Sequence, residues 1–140
     1  MQFPYKKVPS SNNPQDPWIP LPLITIRLSH NGRLVQLDAL IDSGATASLF
    51  HSVVADKLGV DLRSGLKHEF VGISGHSVEA YLHEVELQIL GMPNSLKVAA
   101  AFTESPGVGA LLGQADFFQH YQIKFERYKE RMEINPAKGK

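Results

Sequence analysis

Apolar residues fall on every second position over much of this chain, which is the period of strands that bury one face. Leu23 to Leu28 alternates, and Leu34 to Ile41 resumes as strand after His30-Asn31-Gly32-Arg33. The Asn-Gly pair favours a type I′ turn, so these two runs are expected as a hairpin. Phe70-Val71 and Val78 to Tyr81 flank the turn-rich Gly72-Ile73-Ser74-Gly75-His76-Ser77, which predicts a second hairpin with a glycine-bearing tip. Val85, Leu87 and Ile89 answer Val98, Ala100 and Phe102 across a turn at Gly91 to Asn94, and Ile123 and Phe125 answer Met132 and Ile134 across Glu126 to Lys129. Helical spacing is rarer. Ser52 reads as a cap, Val54 and Leu58 stand one turn apart, and Gly59 closes the end, while Ala115, Phe117, Phe118 and Tyr121 suit a helical turn.

One stretch breaks the alternation. Leu37, Ala39, Leu40 and Ile41 suit a strand covered on both faces, and the run stops at Asp42-Ser43-Gly44, where glycine supplies the backbone freedom of a sharp turn. A carboxylate at the end of a buried strand is costly unless it is paired, neutralised or used. The theme returns at Val108-Gly109-Ala110-Leu111-Leu112-Gly113, again an apolar run that ends in glycine ahead of a helical turn. Strand, glycine turn and short helix thus occur twice.

Composition narrows what the acidic turn can serve. With 140 residues, 43% of them hydrophobic, the chain has the means for one globular core. Residues 23–136 are expected to form it, between a proline-rich arm at 1–22 and a short charged tail at 137–140. Pro4, Pro9, Pro14, Pro17, Pro20 and Pro22 make helix or central strand improbable in the arm, where Trp18 and Ile19 are the apolar anchors. Fourteen basic residues balance fourteen acidic ones, so no net field favours nucleic acid or an anionic membrane. Without cysteine there is no disulfide, thiolate metal site or cysteine nucleophile. No run reaches the ~18 apolar residues of a membrane span, and the N-terminal segment carries no signal-like core. A cytoplasmic protein is expected.

The order Asp42-Ser43-Gly44-Ala45-Thr46, glycine-tipped hairpin, Leu111-Leu112-Gly113 resembles the retropepsin-like aspartic proteases, the single-domain class of retroviral proteases and their cellular and bacterial relatives. The likeness extends from about Leu23 to Ile134. It implies a closed or partly open β-barrel with one or two short helices. It implies further that Asp42 is the catalytic acid/base, that Ser43, Gly44, Ala45 and Thr46 form the active-site loop, and that Leu111, Leu112 and Gly113 support it. Gly72, Ile73, Ser74, Gly75 and His76 correspond to the flap that closes over an extended peptide. In this class two carboxylates share one proton, since like charges at close range do not both ionise. Asp16, Asp38, Asp56, Asp61 and Asp116 are not followed by Ser-Gly or Thr-Gly, so the second carboxylate is expected from another copy of the chain in a two-fold dimer.

Other chemistries fit less well. His83-Glu84 opens like His-Glu-x-x-His, but position 87 is Leu; His76 and His83 are expected as surface imidazoles and no metal is implied. Ser43, Ser48 and Ser52 lie near His51 without a Gly-x-Ser-x-Gly elbow. The expected function is a homodimeric aspartic endopeptidase that needs no cofactor and cuts extended peptides or proteins. The competing expectation is a peptide-binding or dimerisation module that keeps the fold without turnover.

Overall fold

The computed structural model describes residues 1–10, 14–71 and 75–138. It is mainly β. In chain order the strands are β1 (Gln2–Pro4), β2 (Lys6–Pro9), β3 (Trp18–Leu21), β4 (Leu23–His30), β5 (Arg33–Ile41), β6 (Leu49–His51), β7 (Leu66–Val71), β8 (Ser77–Ile89), β9 (Ser95–Thr103), β10 (Leu111–Leu112), β11 (Tyr121–Glu126) and β12 (Arg131–Pro136). One α-helix, α1 (Ser52–Lys57), follows β6, and a single π-turn spans Gln114–Phe118.

The first hairpin forms as the sequence suggests. Asn31 and Gly32 adopt positive φ of 47° and 82°, which is the type I′ signature, and His30 stands opposite Arg33. On β4 the burial alternates strictly, with Ile24, Ile26 and Leu28 inside. The seven-stranded sheet runs β4-β5-β10-β6-β9-β8-β7, and β4 pairs also with β8, so the pairing passes round a ring of strands with β7 attached outside it. Strand β8 makes both connections: thirteen residues long, it meets β7 through Ser77 to Leu82 and β4 through Glu86 to Ile89. The sequence pattern had divided it in two.

Within the ring Ile24, Ile26, Leu28, Ala39, Ile41, Val85, Leu87, Ile89, Val98, Ala100 and Phe102 join one buried cluster. Phe50 packs on Phe102 at 5.8 Å between ring centroids, and Phe117 on Tyr121 at 5.0 Å. Helix α1 adds Ala55 and Leu58. Its N-terminal cap is His51, whose Nδ1 accepts from Val53 N–H at 3.2 Å, rather than the expected Ser52, which is already helical. Gly59 follows the helix with φ of 71° and donates to the Asp56 carbonyl.

The proline-rich segment is ordered into short strands. β2 pairs with β3, where every strand is an edge and Pro20 loses no ladder bond that faces inward. Lys6 anchors this ribbon to the ring: its Nζ lies 2.7 Å from Asp38 Oδ1 and 2.5 Å from Thr25 Oγ1. These bonds from Lys6 and Thr25 hold the Asp38 carboxyl below its usual range. Trp18 and Ile19, expected as anchors, remain exposed. β1 pairs instead with β12, which also carries β11, so both edges of β12 are occupied by its own chain. No helix among the described residues is long and apolar enough to cross a membrane.

Candidate active site

Asp42 is the first residue beyond β5, and a short strand distant in sequence fixes it. β10 lies between β5 and β6: Leu111 and Leu112 run parallel to Leu40 and Ile41, while Leu111 also stands opposite Leu49. Both ends of the loop 42–48 are therefore clamped to the same two-residue strand, the far end through Leu111 alone. Asp42 N–H extends the parallel ladder by donating to the Leu112 carbonyl at 3.0 Å. The carboxylate is half-buried, and its Oδ1 accepts from Gly44 N–H at 2.9 Å. That bond draws the loop round in a tight turn, closed by Ala45 N–H on the Asp42 carbonyl at 3.2 Å.

Gly113 seats the loop from below. A Cβ on it would lie 2.5 Å from the Ala47 oxygen and 2.8 Å from that of Ala45, both backbone atoms. Its φ of −121° is open to any residue, so glycine is required for space and not for conformation. Past Gly113, Gln114 N–H donates to Ala45 and Ala115 N–H to Thr46, each at 2.9 Å. The π-turn then begins, with Phe117 and Phe118 N–H both on the Gly113 carbonyl at 3.1 and 3.2 Å.

Three further residues matter to the loop that the sequence did not mark. Ser48 is fully buried, and its Oγ accepts from Gly113 N–H at 3.2 Å. Asp116 takes Ser48 N–H at 3.4 Å, and burial pushes its carboxyl above the usual range against the opposing bonds from Ser48 and Ala99. Gln114 Nε2 donates to the Ser43 carbonyl at 2.8 Å. A buried small polar residue inside an otherwise apolar run, Ala47-Ser48-Leu49-Phe50, was the only sequence signal for any of them.

Asp42 opens on a cleft of about 460 Å³ lined by Gly44, Ala45, Thr46, Ala47, Leu49 and Leu111 on one side and Phe70, Val71, His76 and Val78 on the other. Apart from His76 these walls carry no second ionisable side chain. Ser43 is not among the lining residues and is exposed. Of the expected flap, Gly72, Ile73 and Ser74 lie outside the described residues. Gly75 has φ of 81° and His76 is exposed at the cleft edge, next to the paired ends Val71 and Ser77 of β7 and β8. His83, expected at the surface, is instead half-buried, with Nε2 2.7 Å from the Leu62 carbonyl and its ring edge-on to Phe102. No group of three or more potential metal-ligating side chains occurs among the described residues.

The geometry is that of a carboxylate held by backbone at the floor of a mostly apolar groove. A protein-family model described as aspartyl protease matches residues 26–115, a span that contains β5, the acidic loop, the β7–β8 hairpin and β10. Among curated proteins none matches the chain.

Proposed function

Because the chain belongs to the aspartyl protease family, we propose that it is an endopeptidase whose active centre forms when Asp42 of two copies meet across a two-fold axis. The observation that carries this reading is Asp42 itself, clamped through β10 and Gly44 and lining a mostly apolar cleft of about 460 Å³. Only one such acidic loop exists per chain, so the second carboxylate comes from a partner subunit.

In the dimer the two carboxyl groups share one proton. The unprotonated group takes a proton from a water as its oxygen attacks the scissile carbonyl carbon. The protonated group gives its proton to the carbonyl oxygen, and a tetrahedral diol results. One carboxyl then gives its proton to the amide nitrogen while the other carboxylate takes one from a diol hydroxyl, so that the C–N bond breaks to a free amine and a carboxylic acid and the shared proton is restored. The apolar walls Leu49, Phe70, Val71, Val78 and Leu111 suit the side chains that flank the bond, and the β7–β8 hairpin would serve as the lid.

Asp42→Asn keeps the loop's size and its acceptor for Gly44 N–H but cannot cycle a proton. Cleavage of an unbiased peptide library, scanned from acid to neutral pH, should vanish in this variant; retained cleavage sinks the assignment. The second reading, a peptide-binding or dimerisation module without turnover, is favoured by one observation. The end sheet of β1, β12 and β11 is complete within one chain, as a self-sufficient monomer needs. Sedimentation of the wild type separates the two, because a strict monomer at all working concentrations has no second Asp42.

A further inference from the structure

The peptide unit joining Ser43 to Gly44 is gripped at both ends. Its N–H donates to Asp42 Oδ1 at 2.9 Å, and its carbonyl accepts from Gln114 Nε2 at 2.8 Å. A carbonyl oxygen only accepts, so the amide nitrogen of Gln114 must be the atom that faces it. A peptide plane rotates as one body, so whatever fixes its oxygen also aims its N–H. The backbone of the same residue is pinned as well: Gln114 N–H donates to Ala45, and Ala115 N–H to Thr46. The side chain thus starts from a fixed base and reaches back over the loop.

We infer that Gln114 is a positioning residue for the reaction, which it serves by holding the Ser43–Gly44 peptide so that its N–H stays on the Asp42 carboxylate. This rests on the protease reading of Asp42. Gln114 does not line the cleft and touches no substrate position. Its influence passes through one peptide group, whose N–H is the donor to Asp42 Oδ1. Loosening the peptide frees the carboxylate to turn away from the position in which it meets water and substrate. The other ionisable groups that face the loop are His76 across the cleft, Asp116 against Ser48 N–H, and the second Asp42 of the dimer. His76 and Asp116 are unchanged by a substitution at 114, while the second Asp42 loses the same support because both copies carry the change.

Gln114→Met tests this, since it keeps length and bulk but has no donor. The expected result is an upfield shift of the Gly44 amide proton resonance and a fall in kcat of about tenfold, the weight of one hydrogen bond to a charged group, with KM within twofold of wild type. Gln114→Arg carries an N–H at the same number of bonds from Cα and should restore the Gly44 resonance. An unmoved Gly44 resonance or an unmoved kcat in Gln114→Met overturns the inference. If the wild type cuts no peptide, the protease reading fails by itself, and the Gly44 resonance still decides whether Gln114 holds this peptide.

Discussion

Replacing Gly113 with alanine puts one methyl where the structure has backbone on two sides. The ideal Cβ lies 2.5 Å from the Ala47 oxygen, 2.6 Å from its carbonyl carbon and 2.8 Å from the Ala45 oxygen, all well inside van der Waals contact. None of these is the free end of a side chain, so relief requires the loop 42–48 to lift off β10. Lifting stretches the bonds from Gly113 to Ser48 Oγ, from Gln114 to Ala45 and from Ala115 to Thr46. Overpacking of a tight interior costs roughly 1–3 kcal/mol, and each backbone bond weakened adds about 1 kcal/mol. A loss of about 4–6 kcal/mol follows, which for a domain of this size lowers Tm by about 14–20 °C. Gly109→Ala is the internal control, because its Cβ meets nothing within 4 Å and its backbone has no positive φ; it should be neutral or slightly stabilising. Thermal unfolding followed by circular dichroism reads both. A Gly113→Ala protein that melts within 2–3 °C of wild type would refute the claim that this glycine is demanded by space.

Ser48→Ala removes the buried acceptor of Gly113 N–H and should cost about 1–3 kcal/mol by leaving that donor unpaired; urea unfolding with an unchanged m-value measures it. Asp38→Asn removes the anchor that Lys6 and Thr25 grip. Its folded pKa is depressed, so its stabilising effect is full above the ordinary carboxylate value and is lost as pH falls through the depressed one. Both partners are more than a third exposed, which limits the effect to about 0.5 kcal/mol at neutral pH, and the melting curves of variant and wild type should converge as pH falls below the ordinary carboxylate range. For Asp116 the sign is reversed: a raised pKa means that stability declines as pH rises from the ordinary value through the folded one. Asp116→Asn keeps an acceptor for Ser48 N–H and should flatten that decline in a Tm-against-pH series.

What could be read from the sequence was what neighbouring residues settle between themselves. Asn31-Gly32 forced its turn because two consecutive positive φ values leave few alternatives. The β7–β8 and β8–β9 pairings followed from alternation on either side of a turn. The acidic turn also stood out, because a carboxylate at the end of an apolar strand is expensive. Its support did not. β10 is only two residues long, and its place between β5 and β6 depends on contacts some seventy residues apart in the chain. Gly113 looked like a turn glycine and is a close-approach glycine. His51 was missed as the helix cap because Ser52 is the stronger local candidate, and only the fold decides which residue leaves the strand last. The proline-rich segment misled in the opposite direction, since proline excludes a central strand but not an edge ribbon pinned by one lysine.

The end sheet bears on how such a subunit becomes active. In this chain β12 is saturated: β1 takes one edge, β11 the other, and the Met1 amine reaches the Ile134 carbonyl and Asn135. Met1 and β1 are thus held against β12 within one molecule. If the proposed pairing of Asp42 loops occurs, folding and assembly are separate events, the first internal to one molecule and the second governed by how many molecules share the solution. If Asp42 acts in pairs, catalysis in this protein is switched by abundance: dilution turns it off and returns intact subunits, ready to be used again.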